Sequence, residues 1–356
     1  MEHGYGYFVA GTVCFSLIPM KYLERCSRLA ALILLSVCLY STTQAQVQSP
    51  RYVNVNLNCK GFYEYLPSGY ANSPGQKFPL IVFVHGLGEL GDGSAAKLPL
   101  VLRNGPPKLI NNKTWPDSFN VNGQWHKPIV ISPQFIKWPT PGDMDTLVNY
   151  VVANYKIDRS RIYVTGLSMG GGVTWNYASN STAWCRRIAA IVPVCGATTP
   201  STTRGALMGK QDLPVWATHN QSDPTVAVSN TNNYISYINE SATPPDPLAR
   251  KTIFPVSGHD AWSTTYNPNY REDGKNVYEW MLQFRREFTS TWIGGTSTAW
   301  DNNANWSEGI VPDANTNVVI NNGNIIIKKN VEVKSINIAR GASLKVDPGF
   351  KLNIVQ

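Results

Sequence analysis

Hydrophobic positions along this chain fall into two regimes that meet near residue 290. Upstream, unbroken apolar runs alternate with helical patterns. Residues 78–84 (FPLIVFV) are continuous, and residues 128–132 (PIVIS) and 161–165 (RIYVT) repeat the theme in shorter form. Such runs suit strands covered on both faces. Residues 51–66 (YVNVNL, then GFYEYL) alternate well enough for one or two early strands. Met144, Leu147, Val148, Val151, Val152 and Tyr155 recur at helical spacing, behind Asp143 and Asp145, where negative charge favours a helix start. Helices are also predicted over about 169–178 and around Val277, Trp280, Met281 and Phe284, and strands at 188–194, 213–218 and 251–255. Strands alternating with helices imply parallel pairing and an α/β three-layer sandwich.

Downstream the helical pattern stops. Trp292, Trp300 and Trp306 lie in a stretch rich in glycine, asparagine and threonine, followed by VVI, III, VEV, INI, LKV and LNI between residues 318 and 354, with Gly323, Gly341 and Gly349 as punctuation. Short rungs separated by turn residues predict a small all-β module, β-solenoid-like or a sandwich. The boundaries predicted are 46–288 for the α/β domain, 289–298 for a linker and 299–356 for the β-rich module.

The N-terminal 45 residues are set apart. Lys21, Arg25 and Arg28 precede an apolar run over residues 29–40, and STTQAQ follows. Basic, then apolar, then small is the order of a secretory signal peptide, with Met20 a candidate true start and Thr43 and Ala45 at the cleavage site. A membrane anchor is the competing reading, although about 12 apolar residues are short for a span. The expected location is secreted, periplasmic or cell-surface. The formal net charge is +8, yet basic residues form no tract interleaved with aromatics, which argues against nucleic acid. Beyond the presequence stand Cys59, Cys185 and Cys195. Cys185 and Cys195 are the nearer pair for a disulfide, and three buried thiols are the alternative. No spacing resembles a zinc or iron–sulfur site, so neither metal nor cofactor is expected.

The candidate chemistry centres on Gly166-Leu167-Ser168-Met169-Gly170. A predicted strand leads into it and a predicted helix follows, the context in which a sharp turn presents a serine hydroxyl. A hydroxyl needs a base, and the base an orienting carboxylate. Beyond Ser168 the chain has only His219 and His259. His259 follows the last predicted strand, and Asp223 follows the strand LPVWAT, so Ser168, Asp223 and His259 form the expected triad. Asp246, in a proline-rich loop, is a weaker acid candidate. The loop after FPLIVFV, residues 85–93, is glycine-rich; the backbone N–H groups of Leu87 and Met169 are the expected oxyanion donors. That loop lacks the lysine and hydroxyl residue of a nucleotide-binding turn. His85 is expected to brace it and Glu89 to anchor it by a buried hydrogen bond. Trp138 and Trp262 are candidate pocket walls. His219 is either structural or a third pocket residue.

VHGLGELGDG, ISPQF, GLSMGGG, SDPTV and GHDAW together resemble the secreted α/β-hydrolases of the phospholipase/carboxylesterase and predicted-peptidase group, which is similar to feruloyl and acetyl esterases and more distantly to prolyl oligopeptidase catalytic domains. The resemblance covers roughly residues 55–288 and implies the α/β-hydrolase sandwich, the same triad and the same oxyanion pair. The order of residues 291–320 also looks like a module of large secreted bacterial proteins associated with surface polysaccharide systems, and TTQAQ resembles signal peptides of the Bacteroidota. The resemblance implies a serine carboxylic-ester hydrolase working through an acyl-enzyme on acetyl or feruloyl esters of plant polysaccharide. Its partners would be that ester substrate and, through the C-terminal module, a glycan or cell surface. No long lid insertion follows the nucleophile, a departure that disfavours a lipase. A serine peptidase of the oligopeptidase type and a non-enzymatic glycan-binding protein are the alternatives.

Overall fold

The computed structural model describes residue 1, residues 47–295 and residues 297–355. The expected presequence, Met1 apart, lies outside the described residues. Among these residues no helix is long and apolar enough to cross a membrane.

Eight strands build the main sheet: β1 (Val47–Arg51), β2 (Cys59–Leu66), β3 (Phe78–Val84), β4 (Ile129–Phe135), β5 (Ile157–Leu167), β6 (Ala190–Val194), β7 (Trp216–Ser222) and β8 (Arg250–Ser257). Their spatial order is β1-β2-β4-β3-β5-β6-β7-β8. β2 pairs antiparallel with β1 and β4, and all other neighbours are parallel. From β3 the chain moves outward to β4, then returns past β3 to β5. The loops leaving β3 and β5 therefore diverge, and a crevice opens between adjacent strand ends, where such sheets bind ligands.

The apolar run at 78–84 shows why it reads as continuous. Leu80, Val82 and Val84 enter one core cluster. Ile81 and Phe83 enter the other, across the sheet. Both faces are dry, so alternation disappears. Among the helices, α1 (Pro141–Asn154) begins with a capping box between Thr140 and Asp143 and buries Met144, Leu147, Val148 and Val151. α2 (Met169–Ala178) is buried along nearly its whole length. α3 (Thr202–Lys210), α4 (Val228–Asn239) and α5 (Val277–Leu282) are further helices of the domain.

The C-terminal module has seven short strands: β9 (Phe288–Thr291), β10 (Thr316–Ile320), β11 (Asn324–Ile327), β12 (Val331–Val333), β13 (Ser335–Ile338), β14 (Ser343–Val346) and β15 (Leu352–Ile354). All pair parallel, in three separate ladders: β9-β10-β13, β11-β14 and β12-β15. Parallel ladders between successive coils are the pattern of a solenoid, not of an antiparallel sandwich. Trp292, Trp300 and Trp306 fill its interior, with Trp300 and Trp306 centroids 4.7 Å apart and the Trp306 indole N–H donating to the Trp300 carbonyl at 2.8 Å. The predicted linker starts too early, because residues 289–291 belong to β9 and pair with β10. The module also bonds to the α/β domain. Arg186 lies 3.5 Å over the Phe288 ring, next to Arg286, which just before β9 is buried and donates to the carbonyls of Ile188 at 2.7 Å and Asp212 at 2.8 Å. Arg159 pairs with Glu332, and Asn315 donates to the Arg159 carbonyl at 3.0 Å.

The tightest backbone approach joins α2 to β3. A Cβ placed on Gly170 would sit 2.0 Å from the Val84 carbonyl oxygen, a backbone atom that cannot turn aside. Gly170→Ala is therefore expected to cost about 3 kcal/mol or more, and Gly75→Ala, where nothing lies within 4 Å, to leave stability unchanged; thermal unfolding of the two variants side by side measures the contrast.

Candidate active site

β5 ends at Leu167 and α2 begins at Met169, leaving Ser168 alone to turn the chain. Its φ of 53° and ψ of −115° are strained for a residue with a side chain. Neighbouring backbone holds it there. Ser168 N–H donates to the Val194 carbonyl at 2.9 Å, and the Ser168 carbonyl accepts from Gly172 at 3.0 Å and Ala197 at 2.9 Å. Gly166 admits the turn, since a Cβ on it would lie 2.6 Å from Gly170 backbone.

The hydroxyl so presented meets His259, on the loop after β8. His259 Nε2 lies 2.8 Å from Ser168 Oγ, and Nδ1 lies 2.7 Å from Asp223 Oδ2. Asp223 follows β7; its side chain is fully buried and its Oδ1 accepts from the N–H groups of Thr225 at 2.8 Å and Val226 at 3.0 Å. Burial alone would raise this carboxyl, but hydrogen bonds from His259 and the two backbone amides outweigh it and hold the carboxyl below its ordinary range. Asn220 donates to the Gly258 carbonyl at 2.9 Å, tying the end of β7 to the histidine loop.

A fourth group overturns the expectation that serine is the only nucleophile type at this place. Cys195, just past β6, offers its Sγ within 4.8 Å of an Asp223 oxygen and a His259 nitrogen. In sequence this cysteine reads only as half of a disulfide or as a buried thiol. Among the described residues Cys59, Cys185 and Cys195 are all unpaired and buried, so the Cys185–Cys195 disulfide is not formed. The assignment of a serine mechanism from the motif alone is corrected accordingly: the Asp–His pair is shared by a hydroxyl and a thiol. The two are placed differently. The hydroxyl faces the Nε2 of the ring. The thiol donates to the His259 backbone carbonyl at 3.2 Å, and burial pushes its pKa up to about 12. Cys195, Asp223 and His259 are also ligand types for a metal ion, but an ion there would have to displace the hydrogen bonds that Asp223 and both His259 nitrogens already make.

His219 takes the structural of its two expected roles: it is fully buried behind Asp223, its Nε2 3.0 Å from the Val226 carbonyl and 3.1 Å from Asp223 Oδ2, its Nδ1 2.8 Å from Thr231 Oγ1. Burial holds its pKa below the usual value, so it supports the carboxylate as a neutral ring. Trp138 is 44% exposed on the loop after β4. Trp262 does reach the site, its ring edge-on to His259 with centroids 5.2 Å apart.

Leu87 opens a turn of 3-10 helix (Leu87–Glu89) and Met169 opens α2. First-turn N–H groups have no partner within their own helix. Gly86 brings the two segments together, since a Cβ on it would lie 2.8 Å from Leu167 Cδ1 and 3.8 Å from Ser168 Cβ. His85 braces this loop. Its Nδ1–H donates to the Gly86 carbonyl at 2.7 Å and its Nε2 accepts from Phe135 N–H at 3.1 Å, which requires the neutral ring. Two polar residues without a predicted role share the task. Gln134 accepts from Gly93 N–H at 3.0 Å and donates to the carbonyls of Glu89 at 3.0 Å and Lys97 at 2.7 Å. Asn104 donates to Glu89 Oε1 at 2.8 Å. Gln134 carried one signal, a polar residue inside an apolar strand; Asn104, which joins a 3-10 turn (Leu98–Arg103) to a short helix (Gly105–Asn111) in a stretch that reads as a polar loop, carried none.

A family model described as phospholipase/carboxylesterase matches residues 71–267, more than half of the chain and every residue of the site above. The chain belongs to the phospholipase/carboxylesterase family. A domain family of unknown function matches residues 291–356, the C-terminal module. Among curated proteins, a putative carboxymethylenebutenolidase of Methylorubrum extorquens is 26% identical over 149 residues, 40% of this chain and 50% of that protein. A bifunctional acetylxylan esterase/xylanase of Neocallimastix patriciarum is 23% identical over 175 residues, 48% of this chain and 25% of that protein. This family member thus spans half the length of the first relative and a quarter of the second. Among solved structures, a thermostable esterase superposes with a TM-score of 0.46 at 20% identity, covering 68% of this chain and 64% of that one. A ferulic acid esterase gives 0.46 at 13%, covering 67% and 97%. Likeness at that level says nothing of activity.

Burial lowers the His85 pKa from 6.5 to about 4. The folded protein keeps this ring neutral in a range where the unfolded chain protonates it. Its contribution is present above pH 6.5 and is lost as pH falls toward about 4, by at most about 3 kcal/mol. His85→Gln should flatten the stability–pH slope in that window by up to one proton, measured by urea unfolding at several pH values.

Proposed function

We propose that this chain hydrolyses carboxylic esters, with His259 as the proton-transfer base and Asp223 as its orienting carboxylate. The observation that carries the reading is the imidazole bonded on both nitrogens, to a carboxylate at 2.7 Å and a hydroxyl at 2.8 Å. A buried carboxylate on Nδ1 fixes the tautomer that leaves Nε2 free to accept a proton, and stabilises the imidazolium that results. The N–H groups of Leu87 and Met169 would then meet the charge that develops on the carbonyl oxygen, a donor pair of which each member is worth about 3 kcal/mol. The returned proton goes to the leaving alcohol, and water releases the acyl group by the same steps in reverse.

Two atoms compete for the attack. The hydroxyl of Ser168 lies 2.8 Å from Nε2, within reach of the base. The thiol of Cys195 lies within 4.8 Å of the Asp–His pair. To attack, it would have to leave the His259 carbonyl and lose its proton against a pKa pushed to about 12. The substrate we propose is an acylated polysaccharide, acetyl or feruloyl. The acetylxylan esterase named among the relatives and the aromatic side chain of Trp262 beside the base support it. A location outside the cytoplasm is proposed from the basic–apolar–small order of residues 20–45.

Turnover of p-nitrophenyl acetate by Ser168→Ala, Cys195→Ala and His259→Ala separates the alternatives. We expect a loss of about a thousandfold or more in kcat/KM for the histidine variant and for whichever of the other two removes the attacking atom; an inactive Ser168→Ala beside an active Cys195→Ala would make it the hydroxyl. A silent Ser168→Ala with an inactive Cys195→Ala would make the thiol the nucleophile. Mass spectrometry of products from acetylated xylan, feruloylated xylan and short peptides identifies the acyl group, and peptide cleavage without ester cleavage would replace the esterase reading by a peptidase.

A further inference from the structure

The proposed chemistry draws on two loops far apart in sequence, the turn after β3 and the loop after β8. A chain of hydrogen bonds joins them. The Trp262 ring stands edge-on to the His259 imidazole at 90°. Its Nε1–H donates to Asn104 Oδ1 at 3.1 Å, and Asn104 Nδ2 donates to Glu89 Oε1 at 2.8 Å. Glu89 closes the turn that Leu87 opens; its own N–H donates to the Gly86 carbonyl at 3.2 Å and its carbonyl accepts from Gln134 at 3.0 Å. Movement of Glu89 therefore moves Leu87.

Asparagine is specified by the two groups it joins. An indole N–H can only donate and a carboxylate can only accept, so the linking side chain must accept on one side and donate on the other. The amide does both, and its orientation follows without ambiguity: oxygen toward Trp262, nitrogen toward Glu89. An apolar side chain of the same size would leave the Trp262 N–H without this acceptor and Glu89 without its side-chain donor. The loss is costly here because Glu89 is 6% exposed.

We propose that Asn104 is a positioning residue that holds the Leu87 N–H in fixed register with His259, acting through Glu89 on one side and Trp262 on the other. The inference rests on the reading of His259 as base and Leu87 as oxyanion donor. Asn104 acts only on their alignment. Alignment matters because an oxyanion donor is worth its full strength only at hydrogen-bond distance from the charge that appears in the transition state, and substrate in its ground state does not yet need it.

The test is steady-state kinetics of Asn104→Leu, Trp262→Phe and the double variant on p-nitrophenyl acetate, with folding followed by far-UV circular dichroism. Trp262→Phe keeps a ring against His259 and removes only the N–H. We expect Asn104→Leu to lower kcat by about tenfold to a hundredfold with KM changed less than about twofold, and the double variant to be no worse than Asn104→Leu alone, because the two act through one connection. Unchanged kcat in a folded Asn104→Leu, a rise in KM without loss of kcat, or additive losses would each overturn the inference. If Asn104→Leu does not fold, Trp262→Phe decides: a lowered kcat at constant KM supports the connection and wild-type kcat removes it. His259→Ala keeps the two readings apart. Its inactivity beside a fully active Asn104→Leu sinks the positioning role alone, whereas an active His259→Ala sinks the base reading and this inference with it.

Discussion

The contact on which the rest depends is the approach of α2 to the end of β3. Gly170 lies so close to the Val84 carbonyl that no side chain fits between them. With the helix start pinned there and β5 arriving alongside, the chain has one residue in which to reverse. That residue takes a positive φ, and its hydroxyl is driven out of the sheet toward the crevice. Backbone hydrogen bonds from Gly172 and Ala197 and to Val194 offset the strain, and the core on both sides of the sheet supplies the stability from which such strain is drawn. A flexible loop could carry the same serine. It could not hold the hydroxyl at a fixed distance from an imidazole that arrives 91 residues later.

The second constraint is electrostatic. Asp223 is buried, which by itself favours a neutral acid, yet three hydrogen bonds keep it a carboxylate. His219 sits behind it in an environment that favours the neutral ring, so the negative charge is not cancelled from the rear and remains available to His259. Cys195 fits the same picture. Its thiol fills the space beneath the histidine loop and bonds that loop's backbone; its burial favours the protonated form. Which of the two atoms attacks depends on which one the free ring nitrogen reaches and which can lose its proton.

The solenoid module is organised differently. Its core is a column of tryptophan and β-branched side chains, and its strands are three to five residues long. Such strands have no independent stability and hold by stacking coil on coil. The module is tied to the α/β domain through Arg186 over Phe288 and through Asn315 on the Arg159 carbonyl, so the end of that domain serves as a foundation for the stack.

Much of this was legible in sequence. Periodicity located the central strands, because residues covered on both faces must be apolar throughout, and it located α1, because a half-buried helix must repeat at 3.6. The elbow was legible because close backbone contact demands glycine, and chain order then selected Asp223 and His259. α3 and α4 were not found. α4, VSNTNNYISYIN, is rich in residues that form helices poorly, and it is helical because Thr231, Tyr234, Ile235 and Ile238 are buried against the sheet. The same limit hid Cys195 at the site, His219 behind the carboxylate, and the roles of Gln134 and Asn104. Sequence determines what must be local: burial pattern, backbone permissiveness and the order of chemical groups. Which groups meet across the chain is decided by packing in three dimensions, since a thiol, an amide or a buried imidazole carries no mark of its partner until the fold brings that partner within hydrogen-bond distance.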